Sequence, residues 1–581
     1  MENHRFILFI ALAAILYLMF NQWQTEHAPV PPAKTEQTVK ASPESDDEAP
    51  VAVTADDEIV VSAPEGQNSA KTVSSAKKST QKGRQIEIVT DLFQIRIDTY
   101  KGAISRVNLR KYPLTVEQQD IPFTILDKNA DNNFIAESGL LPQSGSDETI
   151  RVPLFASAKS TYALQEGEDE LRVPLAWKSE SGIELVKTFI FKRDSYQIEI
   201  EQQINNNSSS EWRGSLYATL RQKPVKQSGG FFSGASAYTG AAVSTDFNKY
   251  EKVSFDDIQE NWSTNHKNAM KSNGVIGTKT GWIAMLQHYF VVAWIPNQQE
   301  LSYISSKFIK KSNNHYISYA SEEKVIPAGN KVSFVQKIYA GPKVQKVMKE
   351  IAPNLERSVD YGPLFFIAEP LFFALDFIHG VIGNWGWAII LLTFFIKVAF
   401  FKLSEKSYRS MAKMRNLGPK IKQLRERYGD DKQKLNQATM DLYKKEGANP
   451  LGGCLPILIQ MPVFLSLYWM LMESVELRQA PFMFWITDLS LKDPFFILPL
   501  IMGGTMFLQQ RLNPAPADPM QAKVMMAMPI LFTAMFLWFP SGLVLYWVVN
   551  NALSILQQWI ITKRVESGKD KVEAKPAKKK K

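Results

Sequence analysis

Lys397 stands inside the apolar run Trp385 to Phe401, where the residues from Ala388 to Ile396 are all apolar except Thr393. A charge at the centre of a bilayer costs ~3 kcal/mol on insertion scales and ~10 or more for a lone helix, so a chain that keeps one there has a use for it. The competing reading is structural. Lys402 follows about 7.5 Å further along a helix, so the Lys397 ammonium is close enough to the end of the run to snorkel out to the interface. Neighbouring apolar runs carry a sparse polar set: Gln460, Thr505, Gln509, Thr533, Asn550, Ser554 and Gln557. In lipid such groups must turn toward one another or toward a wet cavity. The chemistry on offer is binding. No His or Cys cluster has metal spacing, there is no nucleophile elbow or Walker loop, and the histidines (His4, His27, His266, His288, His315, His379) are scattered. Neither catalysis nor a cofactor is expected. The lone Cys454 excludes an intramolecular disulfide; Leu451-Gly452-Gly453-Cys454 imitates a lipidation box but lies mid-chain, and reads as small residues at a helix start.

The elements that must position these groups follow from where hydrophobicity falls along the 581 residues. Apolar residues concentrate at Phe6 to Phe20 and again after Leu364, with mixed polarity between. Residues 1–23 read as an anchor without a small-x-small cleavage site, and 24–83 as a tether rich in Pro, Ala, Ser and charge that cannot bury a core. Residues 84–345 show period-two runs such as Phe93–Ile97, Gly182–Phe191 and Tyr196–Glu201, which predict a large antiparallel β sandwich. Its tryptophans Trp177, Trp212, Trp262, Trp282 and Trp294 serve either core packing or a carbohydrate cleft. Gly229–Gly234 reads as a loop and not a phosphate cradle, because no basic residue follows at the required spacing.

Charge then orients the spans. The +9 formal charge gathers beside the apolar runs, pointing to topology or an anionic partner before DNA. The basic stretch Lys402 to Asn449 and the tail Lys578, Lys579, Lys580 and Lys581 belong in the cytoplasm, the loop Glu473 to Asp493 outside, and Arg511 to Lys523 inside again. Phe539-Pro540-Ser541-Gly542 turns the chain between two crossings, giving about six spans. Residues 346–383 read as a linker and an amphipathic interfacial helix, 384–403 as the second span, 404–450 as a basic helical hairpin turning at Gly429-Asp430-Asp431 with a capping Asp, 451–562 as four further spans and 563–581 as a basic tail.

Several ordered motifs resemble those of the bacterial YidC-type membrane protein insertases in their Gram-negative form: Ser410-Met411-Ala412-Lys413-Met414-Arg415, Gly429-Asp430-Asp431-Lys432-Gln433, Asn449-Pro450-Leu451-Gly452-Gly453-Cys454, Leu458-Ile459-Gln460-Met461-Pro462, Ser474 to Pro481 and Phe539 to Tyr546. The resemblance implies an inner-membrane polytopic α-helical bundle with a large periplasmic all-β super-sandwich domain. It implies a hydrophilic groove open to cytoplasm and lipid, formed here by Lys397, Thr393, Gln460, Gln509, Tyr546, Trp547 and Asn550, with Lys397 where many relatives carry arginine. It also implies a greasy slide for the client's span at Leu458, Met461, Phe464, Met525, Met528 and Phe532. Nascent membrane proteins, the Sec translocon, the signal-recognition-particle pathway, the ribosome and membrane lipids are the implied partners, with ribosome contact expected at Lys413, Arg415, Lys420, Arg425, Arg427 and the tail lysines. A polytopic transporter or lipid flippase is the rival from another class; the inverted repeats that would favour it are not visible. A cell-envelope structural protein with a sugar-binding β domain leaves the membrane motifs unexplained.

Overall fold

The computed structural model describes residues 83–129, 131–143, 148–224, 237–270, 274–429, 431–447, 455–513 and 519–567. The expected anchor, the tether up to Lys82, the Gly229–Gly234 loop, the Asn449–Cys454 motif and the Lys578–Lys581 tail lie outside the described residues.

Alternation of apolar and polar residues produces a sandwich of a twelve-stranded and an eight-stranded sheet over one shared core. Ile183–Lys192 pairs antiparallel with Gln197–Asn206, so that Leu185 faces Ile204, Phe189 faces Ile200 and Phe191 faces Ile198, all buried. Lys187 falls in the same inward phase, opposite the buried Gln202. Its Nζ donates to the carbonyls of Ser138 (2.7 Å), Gly102 (2.9 Å) and Lys101 (3.4 Å), across the core from its own sheet. Burial pushes this ammonium down to about 7, against the opposing pull of Glu137. Trp212 and Trp294 are buried in this core, Trp177 and Trp262 pack against it, and Trp282 is buried in a second core shared with the helical part, so the cleft reading of these tryptophans is replaced by packing. Helices α1 (Phe255–Gln259) and α2 (Trp262–Asn265) lie within this domain, and α3 (Gln345–Ile351) closes it.

The helical part begins with α4 (Phe365–Ile382), stopped at Gly383, whose φ of 74° suits a residue without Cβ. Asn384 caps α5 (Trp385–Ala399) by accepting from the Trp387 amide. The chain then bends by 69° into α6 (Phe401–Asn416), followed by α7 (Gly418–Tyr428) and α8 (Lys432–Lys445). Next come α9 (Leu455–Glu473), α10 (Ile497–Leu512), α11 (Pro519–Phe536) and α12 (Ser541–Glu566). One result differs from the sequence expectation. The apolar helix around Lys397 ends at Ala399, and the basic stretch holds α6 as well as the hairpin of α7 and α8: Tyr408, Met411 and Met414 make a narrow face that packs with Leu417 and Ile561 of α12, too thin to stand out among the charges. By length and composition alone, Gly362–Ile382, read from the sequence as interfacial, is among the described residues the one unbroken helix that could cross a membrane. Its Asp376 is held by Lys346 of α3 at 2.7 Å, which ties that face to the end of the β domain. The helix pair α5 and α6 qualifies as a crossing only when taken together, and Lys523–Phe536 is a shorter apolar helix.

The β domain and the segment after α9 are joined by polar contacts. Arg478 Nη2 donates to the carbonyls of Pro113 (2.7 Å) and Leu114 (3.0 Å), and its guanidinium lies 5.6 Å from the ring centres of both Phe123 and Phe290. His288 Nε2 meets the Met472 carbonyl at 2.8 Å, and burial pushes its imidazole down to about 4, so it donates as the neutral ring.

Candidate functional site

The polar residues of α12 recur at positions 550, 551, 554, 557 and 558, a spacing that gathers them along one side of a helix and slightly around it. Four neighbouring helices meet this stripe. From α5, Lys397 Nζ donates to Ser554 Oγ at 2.7 Å and to Gln460 Oε1 of α9 at 3.4 Å. Gln460 Nε2 in turn donates to Asn550 Oδ1, so three helices close on one ammonium. From α10, Gln509 Nε2 donates to Gln558 Oε1, and Thr505 Oγ1 accepts from Asn551 at 3.3 Å. Gln558 Nε2 reaches the Leu512 carbonyl and Asn513 Oδ1, both at 3.2 Å. At the bend, Gln557 Nε2 donates to the carbonyl of Phe401, the first residue of α6 (3.2 Å).

Beside this network lies a cavity of ≈ 250 Å³. Its polar wall includes Gln460, Gln509, Asn550 and Ser554; its apolar wall includes Met461, Phe464, Met528 and Trp547. Tyr408 and Met411 of α6 complete it. Trp547 stacks on Phe464 with ring centres 4.7 Å apart, which fixes both walls where they meet. The Tyr546 hydroxyl is buried and faces Gln460 without a well-formed hydrogen bond. A second space of ≈ 20 Å³, lined by Lys397, Ile396, Phe400 and Ser404 among others, flanks the ammonium on the α6 side. Lys397 therefore does not snorkel: its acceptors are neutral, interior and on other helices.

The expected site residues separate into groups. Lys397, Gln460 and Asn550 form one hydrogen-bonded set; Gln509 and Trp547 line the same cavity as Gln460 and Asn550, which lies beside Lys397. Thr393 does not join them. It is buried and its Oγ1 donates back to the Ile389 carbonyl at 2.6 Å, so its hydroxyl is consumed within α5. Among the apolar residues, Met461, Phe464 and Met528 line the cavity, Met525 lies half-buried on α11, and Phe532 packs beside Phe536. The side chain of Leu458 lies outside those described. Lys413, Arg415, Lys420, Arg425 and Arg427 are exposed on α6 and the hairpin. Sequence reasoning missed Asn551, Gln558 and Asn513, and the part α6 takes in the cavity; the recurrence of amides along α12 was the available signal for the first two. Among the described residues, no group of His, Cys, Asp or Glu is arranged to hold a metal ion.

Two family models match the chain. The model of the YidC periplasmic domain covers residues 85–374, and that of the 60Kd inner membrane protein covers 377–569. The membrane protein insertase YidC of Nitrosococcus oceani is 46% identical over 572 residues, covering 97% of this chain and 99% of that one. That of Pseudomonas entomophila is 46% identical over 580 residues, with 99% and 100% covered. A crystal structure of an active YidC insertase with its first transmembrane domain resolved aligns over 82% of this chain and 92% of that chain, with 16% identity and a TM-score of 0.37. With a β sandwich followed by an apolar helical part, and near-full-length identity to these proteins, the chain belongs to the YidC family of membrane protein insertases, inner-membrane proteins with a periplasmic β domain.

Proposed function

We propose that this insertase works through the cavity beside Lys397, as a groove open to the cytoplasm and lipid and closed on the periplasmic side. The observation that carries the reading is that the Lys397 ammonium is held indoors by neutral acceptors beside a space of ≈ 250 Å³. An uncompensated positive charge in low dielectric attracts an acidic or polar client tail. The client's apolar span then leaves along Met461, Phe464, Met525, Met528 and Phe532. Burial of that span at roughly 25 cal/mol per Å² drives the process, and the groove lowers the barrier for the tail. Chaperoning of folding within the bilayer follows from the same apolar exit. The topology that fits is six spans with both termini in the cytoplasm, with α4 lying in the outer interface where Lys346 restrains it.

In proteoliposomes lacking any energy source, a small single-span client with an acidic tail should insert with the wild type and with Lys397→Arg, and fail with Lys397→Glu. Full activity of the Glu variant sinks the groove. Solute uptake by the same vesicles would favour the transporter or flippase, which the names of the relatives do not support.

The exposed cations of α6, α7 and α8, with the tail lysines, suit the RNA of a ribosome, whose negative charge attracts basic surfaces without sequence preference. Anionic lipid is the other anion within reach. Pelleting with ribosomes, with and without residues 563–581, separates the two. Cooperation with the Sec translocon and delivery by the signal-recognition-particle pathway rest on family membership alone.

A further inference from the structure

Lysine is a flexible stem ending in a compact, strongly hydrated charge; left alone near the end of an apolar helix it reaches for water. Here it does not, and the directions of the hydrogen bonds explain why. Ser554 Oγ spends its single proton on the Asn550 carbonyl at 2.7 Å, so it can only accept from Lys397. Gln460 donates its Nε2 to Asn550 Oδ1, so its Oε1 is turned toward the ammonium. Asn550 thus sets the polarity of both acceptors, its backbone oxygen fixing one and its side chain the other. A carboxylate at either place would hold the lysine more strongly but cancel its charge. A hydroxyl and an amide hold it and leave the charge whole.

We propose that Ser554 is the positioning residue of this insertase: with Gln460 as the weaker second acceptor, both of them on the cavity wall, it keeps the Lys397 ammonium turned toward the cavity and so sets the preference for anionic client tails. The inference rests on the groove reading above. It also bears on the lysine itself. A guanidinium carries its own planar fork of donors and finds acceptors over a wider arc, so an arginine at this position does not depend on Ser554, whereas a lysine does.

The test uses the full chain in proteoliposomes with two clients that differ only in tail charge, one acidic and one neutral. The readout is the ratio of their insertion rates, which a general loss of folding does not move. Ser554→Ala should lower that ratio about tenfold, the scale of one hydrogen bond to a charged group. Ser554→Thr, which keeps the hydroxyl, should leave it near the wild type. Adding Lys397→Arg to Ser554→Ala should restore it. An unchanged ratio in Ser554→Ala, or failure of the arginine to restore it, overturns the proposal. Should Ser554→Ala not fold, Ser554→Cys keeps the volume with a poor acceptor and is read the same way. Lys397→Glu separates the two levels of inference. If it still favours acidic tails, the groove reading fails; if it loses them while Ser554→Ala keeps them, only the role of Ser554 fails.

Discussion

Lys187 is buried in an apolar core and Lys397 is half-buried between helices, and they are held in different ways. Lys187 is 1% exposed and bonded to three backbone carbonyls from the facing sheet, which cannot rotate away. Lys397 is bonded to two side chains on two other helices, with a cavity alongside. A buried charge ringed by backbone is a rivet between two sheets. A buried charge on swivelling neutral groups, with room next to it, is available to something else. Burial alone does not distinguish these roles; the acceptors and the adjoining space do.

That contrast can be broken most sharply by charge reversal. Lys187→Glu would aim a carboxylate at three carbonyl oxygens, a loss of roughly 3–5 kcal/mol or more, and the β domain should become protease-sensitive; a folded, resistant variant would remove the distinction. Lys397→Glu is expected to abolish insertion of acidic-tailed clients while the thermal melt of the purified protein stays close to the wild type. A collapse of that melt would make Lys397 a second rivet. The packing around α5 gives a smaller effect. A Cβ on Gly386 would lie 2.0 Å from the Phe482 ring, so Gly386→Ala should cost about 1–3 kcal/mol as the ring is displaced, read as a lowered melting temperature.

The subtlest test is pH. The Lys187 ammonium titrates near 7 when folded and near 10.5 when not, so the unfolded chain binds the extra proton between those values. The penalty is therefore full below about 7 and relieved as pH rises toward 10.5. The stability difference between wild type and Lys187→Met should move in favour of the wild type across that window. A difference independent of pH would mean that the lysine is charged in the core throughout.

The sequence made Lys397 visible because it breaks an apolar run in a helix. Lys187 was equally marked, since it shares the inward phase of Ile183, Leu185, Phe189 and Phe191, but one polar residue in a period-two strand of mixed polarity does not draw the eye. The strands, the hairpin cap at Asp431 and the turn at Pro540 were legible because each depends on local chemistry. The pairing of Lys397 with Ser554 was not, since 157 residues separate them and only packing brings them together. Thr393 was read as part of the polar set because of its type; its choice of a carbonyl one turn back depends on a rotamer that composition does not reveal. The face of α6 was legible in the helical spacing of Tyr408, Met411 and Met414, and was passed over because charged residues dominate the composition around it.

The 69° turn at Phe400 makes α5 and α6 the two arms of a bent lever, one bearing the ammonium and the other walling the space beside it. Its elbow is strapped to α12 by Gln557 and the Phe401 carbonyl. That strap ties the orientation of α6 to α12, whose polar stripe forms the opposite wall of the same space.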